Sequence, residues 1–120
     1  MKDGFVKVSC ASPDVKVADC IYNADQIIAM ISDAHKQNVK IICFPELSIT
    51  GYTCGDLFLQ DALLNAAKTE LVRIIKETAV LDIVSIIGLP LAVYGKLYNC
   101  AVVINHGKAV GAIAKHNIPN

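Results

Sequence analysis

Two short and nearly uninterrupted apolar runs, residues 39–44 and 83–89, constrain this chain most. Each has the length of a strand and is apolar at both odd and even positions, which fits strands buried within a sheet. Between and before them the period changes. From Asn23, followed three residues later by Gln26 in a capping arrangement, Ile27, Ile28, Ile31 and Ala34 form one apolar face, with Asp25, Asp33, Lys36 and Gln37 opposite and Asn38 as the closing residue. A second helical segment is expected to start at Asp56 as N-cap. It runs through Leu57, Phe58, Ala62, Leu63, Ala67, Leu71, Ile74 and Ile75 to about Thr78, as two helices or one long kinked one. An alternating stretch at 5–10, closed by Ala11-Ser12-Pro13-Asp14, supplies a first strand. The resulting order β-α-β-α-β predicts an α/β fold around a central, largely covered sheet. The last third predicts a hairpin: residues 91–95 lead into a strand at 97–105, then the turn Asn105-His106-Gly107-Lys108 and a strand at 109–114.

Bulk properties narrow the function classes. A chain of 120 residues allows one domain at most, and eleven basic against eleven acidic residues point to neither nucleic acid nor an anionic membrane surface. The 54% hydrophobic and 18% charged content suits a sheet covered on both faces, or a piece that loses further surface to a missing partner. The longest uncharged apolar stretch, 83–95, is short and broken by Pro90, so no membrane span is expected. No signal-peptide order precedes the first strand, and a cytoplasmic location is expected. Five cysteines without a CxxC pair support neither a disulfide framework nor a zinc site. His35, His106 and His116 are not read as metal ligands.

The chemistry centres on Phe44-Pro45-Glu46-Leu47-Ser48-Ile49-Thr50-Gly51-Tyr52. Pro45 ends the preceding strand, and Gly51 permits a backbone angle that other residues avoid. A carboxyl among Phe44, Pro45, Leu47 and Ile49 is poorly solvated if it faces inward, which would raise its pKa toward neutrality and suit it to general-base work. An exposed Glu beside a turn glycine is the alternative. Lys115 repeats the context, following an apolar strand and preceding a Pro-containing turn. If both strands end at one edge of the sheet, a base and a cation share a pocket, where the cation can stabilise a developing oxyanion. A solvated strand-end lysine is the alternative here.

Phe44-Pro45-Glu46 with Thr50-Gly51-Tyr52, and Lys115 followed by Ile118-Pro119-Asn120, resemble two of the three signature segments of the nitrilase-like carbon-nitrogen hydrolase superfamily. Within it, Thr50-Gly51-Tyr52 leading to Gly55-Asp56-Leu57-Phe58, and the early Asn23-Ala24 helix start, look most like the glutaminase domains of glutamine-dependent NAD synthetases. The resemblance implies a four-layer α-β-β-α sandwich, of which residues 1–120 form an N-terminal portion. It also implies a Glu-Lys-Cys triad acting on glutamine, with Glu46 as general base, Lys115 stabilising the oxyanion and Tyr52 near the substrate. Tyr52 reads equally well as a turn aromatic packed over the sheet edge.

One departure shapes these expectations. The nucleophilic Cys of the superfamily lies in a third segment beyond the Lys motif, and none of Cys10, Cys20, Cys43, Cys54 and Cys100 matches it. Cys43 is expected to be buried in its strand, and Cys54 to be the cysteine nearest a pocket, in a structural role. The chain is expected to be the first part of a longer enzyme and inactive alone. ATP and magnesium would be used by a synthetase domain elsewhere, and no cofactor is expected in this segment. Exposed apolar surface suggests a homo-oligomer. A stand-alone amidase or carbamoylase and a non-catalytic interaction module of the same fold are the competing readings.

Overall fold

The computed structural model describes residues 4–51 and 61–115. Among them β1 (Val8–Cys10), α1 (Cys20–Lys36), β2 (Ile41–Cys43), α2 (Asp61–Glu77), β3 (Val84–Val93), β4 (Lys96–Asn105) and β5 (Lys108–Lys115) follow in chain order. The strands form one sheet in sequential order, with β1, β2 and β3 parallel and β3, β4 and β5 antiparallel. Two successive crossovers of the same hand place both helices on one face of the sheet. Their apolar stripes, Ala24, Ile27 and Ile31 of α1 and Ala67 and Ile74 of α2, meet Ile42, Ile87, Leu89, Val102 and Ile104 in one core. Each large side chain sealed there contributes roughly 1.5–3 kcal/mol. The other face carries the alternate residues, among them Cys43, Ile86, Ala101 and Ile113, and among the described residues no helix covers it. Of the two readings of the high apolar content, a sheet covered on both faces or a piece lacking part of its cover, the described residues fit the second. Among the described residues no helix is long and apolar enough to cross a membrane.

Several boundaries differ from the sequence reading for identifiable reasons. α1 begins three residues before Asn23, and its N-cap is Asp19, whose Oδ1 accepts from Tyr22 N at 3.0 Å. Asn23 is buried within the helix and accepts from Lys16 N while donating to the carbonyls of Lys16 and Ile49. Asn38 does close α1, at φ +63°, with Val39 N returning to Ala34 O at 3.0 Å. The expected start of the second helix at Asp56 lies outside the described residues. β3 is one ten-residue strand and not a run ending at Leu89. Pro90 fits inside it because β2 pairs with β3 only through Ile86, so the missing N–H falls past the last ladder bond on that side. Tyr94 and Gly95 then close the hairpin with positive φ at both positions, as His106 and Gly107 do at the next turn.

Arg73 joins the helices on the outside. Its guanidinium reaches Glu70 at 2.6 Å, Asp25 at 2.7 Å, Glu77 at 3.1 Å and Ile21 O at 3.2 Å. Glu70 most of all holds the Arg73 proton, against the opposing effect of burial.

Candidate active site

The turn after β2 is pinned from three sides. Phe44 N donates to Ile86 O at 2.9 Å and Ile49 N to Gly88 O at 3.2 Å, so the chain keeps following β3 beyond the last ladder pair. Ser48 Oγ sits 3.4 Å from both the N and O of Gly88. Asn23 Nδ2 holds Ile49 O at 2.8 Å, and Ala18 N donates to Thr50 O at 2.7 Å. Leu47 turns the chain at φ +53°, and Gly51, at φ +87°, completes it with the angle that its residue type suggested. Leu47, Ser48, Ile49 and Thr50 all point into the protein.

That inward packing leaves Glu46 outside. Its side chain is 51% exposed, because Phe44, Leu47 and Ile49 pack beneath the turn and do not surround the carboxylate. The burial on which an inward-facing carboxyl was expected is therefore absent, and the contacts around Glu46 are polar. Lys115 Nζ, at the end of β5, lies 3.5 Å from Oε1, and Asn99 Nδ2, on β4, donates to Oε2 at 3.3 Å. Asn99 and Lys115 are register partners across β4 and β5, so their side chains project from the open face side by side. The β5 strand is parallel to β2 through two antiparallel steps, which is why both strands end at the same edge. Glu46 and Lys115, 69 residues apart in sequence, are thereby brought together.

The pair stands at the mouth of an open cavity of about 450 Å³ lined by Cys43, Phe44, Pro45, Glu46, Ile86, Gly88, Asn99, Cys100, Ala101, Ile113 and Lys115. Its wall is apolar and its rim polar, the form in which a small polar ligand is oriented by a few groups. Gly88 is the floor of the turn. A Cβ there would meet Leu47 N at 2.6 Å, Pro45 O at 2.8 Å and Glu46 C at 3.1 Å, all backbone atoms that cannot swing away. The sequence reading missed Gly88 and Asn99. The signal for the first was a glycine inside a β-branched run, and for the second a polar side chain within an apolar alternation.

Cysteines divide by face. Cys20 and Cys100 are buried, and burial pushes the Cys100 thiol up, away from thiolate chemistry. Cys43 is exposed on the open face, contrary to the expectation of a buried strand thiol, because its position in β2 has the parity of Ile86 and not of Ile87. Tyr52, Cys54, His116 and the Ile118-Pro119-Asn120 segment lie outside the described residues. His106 sits at the β4–β5 turn beside Asp82, at the far end of the sheet. Among the described residues no three of His, Cys, Asp and Glu gather as a metal site.

A carboxylate, an ammonium 3.5 Å away and an apolar cavity are a base, a cation and a binding space, three of the parts that acyl transfer on a small amide requires besides a nucleophile. The sequence matches the carbon-nitrogen hydrolase family over residues 7–119. The chain belongs to the carbon-nitrogen hydrolase family. It is 34% identical over 116 residues, 97% of its length, to the glutamine-dependent NAD(+) synthetase of Mycobacterium tuberculosis, and covers 17% of that protein. The crystal structure of a glutamine-dependent NAD(+) synthetase from Cytophaga hutchinsonii superposes with a TM-score of 0.88 at 34% identity, over 96% of this chain and 20% of that one. An amidase from Nesterenkonia sp. shares the fold, with a TM-score of 0.79 at 18% identity over 100% of this chain and 46% of that one. The chain thus spans about a fifth of the synthetases that it resembles. As a carbon-nitrogen hydrolase it has the α/β architecture of the nitrilase-like sandwich, and the described helices and sheet supply one helix layer and one sheet layer of it.

Proposed function

We propose that this chain contributes the base and the oxyanion-stabilising cation of a glutaminase site, in an enzyme that passes ammonia to the ATP-dependent amidation of deamido-NAD to NAD. The observation that carries the reading is the convergence of Glu46 and Lys115 at 3.5 Å on the rim of an apolar cavity. The resemblance to glutamine-dependent NAD(+) synthetases supports glutamine as the amide. In the reaction, Glu46 takes the proton of a cysteine thiol as its sulfur bonds to the side-chain carbonyl carbon of glutamine. Lys115 stabilises the oxyanion of the tetrahedral intermediate. As the carbon-nitrogen bond breaks, the proton passes from Glu46 to the leaving ammonia. Water, deprotonated by Glu46, then cleaves the thioester to glutamate and restores the thiol.

The nucleophile in this proposal is a cysteine of a further segment of the gene product, so residues 1–120 alone release no ammonia. Cys100 touches the cavity, but burial raises its thiol pKa and disfavours the thiolate, which supports that assignment. ATP and magnesium belong to the amidation step elsewhere in the protein. The test is an ammonia-release assay with glutamine on the gene product that carries this chain. Glu46→Gln is expected to reduce turnover by about 10²–10⁴-fold, whereas Cys43→Ser leaves it unchanged. Undiminished ammonia release by Glu46→Gln would remove the base from the scheme, and loss of turnover in Cys43→Ser would move the nucleophile into this chain.

A further inference from the structure

The two oxygens of Glu46 have partners of unlike standing. Lys115 is half exposed and reaches Oε1 at 3.5 Å, a contact between two flexible side chains that solvent and salt weaken. Asn99 is 6% exposed and lies in β4 between Pro90 of β3 and Lys115 of β5. From that fixed place it donates Nδ2–H to Oε2 at 3.3 Å. Its side chain has already lost its freedom to burial, so holding the carboxylate costs it little more. Little of the residue is open to water, so solvent competes weakly for the amide and the contact is favoured.

We propose that Asn99 is the positioning residue of Glu46, setting the plane in which the carboxylate meets the proton that it takes. The inference rests on the reading of Glu46 as a general base given above. The neutrality of the amide matters to the chemistry. A second cation in its place would hold the carboxylate ionised and make it a poorer proton acceptor, and a second carboxylate would oppose its ionisation. An amide orients the group and adds no charge. Lys115 thus supplies the charge at this site and Asn99 the direction.

The test uses Asn99→Ala and the isosteric Asn99→Asp in the gene product that carries this chain, with glutamine as substrate. Both variants are expected to lower kcat about 10- to 100-fold, because a small displacement of a reacting group has that effect. KM should stay within about twofold. Asn99→Asp should in addition move the acid limb of the kcat profile to higher pH, since its carboxylate opposes ionisation of Glu46. Folded variants with wild-type kcat and an unmoved pH profile overturn the proposal. A second measurement covers variants that fail to fold: the Asn99 side-chain amide signal, followed by ¹H–¹⁵N NMR across an acid titration of the unmutated chain and of Glu46→Gln. A signal that follows a carboxyl titration and loses that response in Glu46→Gln supports the positioning contact, and one indifferent to pH overturns it. If the wild-type gene product releases no ammonia, the glutaminase reading falls, and the NMR titration alone decides whether Asn99 holds Glu46.

Discussion

Two lysine-carboxylate pairs of nearly the same dimensions stand at opposite ends of the sheet. Lys115 Nζ lies 3.5 Å from Glu46 at the end of β5, and Lys40 Nζ lies 3.3 Å from Asp82 ahead of β2 and β3. Both lysines and Glu46 are about half exposed and Asp82 more so, and Asp82 has the richer ionic surroundings, since His106 Nε2 also approaches it at 3.3 Å. What separates them lies beneath. Glu46 rides on a turn whose next four residues are buried, is seated on a glycine and has a buried amide at its second oxygen. Asp82 has only exposed partners. An ion pair by itself therefore marks neither end as a site. The buried support and the apolar cavity beside it are the features on which the proposed site rests.

The strongest way to break this comparison is to remove the lysine from each end. Lys115→Ala is expected to lower kcat for ammonia release about 10²–10³-fold, the usual cost of losing one group that stabilises an oxyanion. Lys40→Ala, the removal of an equally exposed lysine, should leave kcat unchanged. Equal losses in the two variants would show that the support beneath Glu46 does not distinguish the ends.

The support itself is tested at Gly88. Gly88→Ala places a methyl group against backbone atoms of Pro45, Glu46 and Leu47, so the turn must lift from β3. An overpacking cost of about 1–3 kcal/mol follows, readable as a lower midpoint in urea. Turnover should fall as well, since the lifted turn carries Glu46 away from Lys115 and Asn99. Gly111→Ala is the control: a Cβ there meets nothing within 4 Å, and neither stability nor kcat should fall.

Local pattern made most of the architecture legible. The apolar runs around Ile42 and Ile87, the helical spacing of Ile27, Ile31 and Ala34, and the turn glycines each report on their own neighbourhood, and the elements follow them. Errors arose where a residue serves a distant partner. Asn23 has the chemistry of an N-cap, yet its amide ties residue 16 to residue 49, and no local pattern reveals that. Pro90 reads as a strand breaker unless the reach of β2 is known. Glu46 was conspicuous because Pro45 and Gly51 frame it, but its exposure depends on which way the turn packs. Gly88 and Asn99 gain their meaning from strand register, which pairs residues far apart in sequence.

The smallest expected effect sharpens the comparison from the far end. Hydrogen bonding to Lys40, first, and to His106 holds the Asp82 carboxyl below its ordinary value of 3.8. A carboxyl whose folded pKa is depressed stabilises the fold above its unfolded pKa, and that contribution disappears as pH falls through the folded value. Asp82→Asn should therefore melt slightly below the wild type near neutrality, with the difference closing below about pH 4. Because Asp82 is exposed, the same difference should also shrink when salt is added at neutral pH. Thermal melts at two pH values and two salt concentrations read this directly, and a difference that persisted in acid would assign the effect to something other than the charge. Ammonia release by Asp82→Asn should match the wild type throughout, because among the described residues the group that it removes has exposed charged partners and no buried donor to aim it.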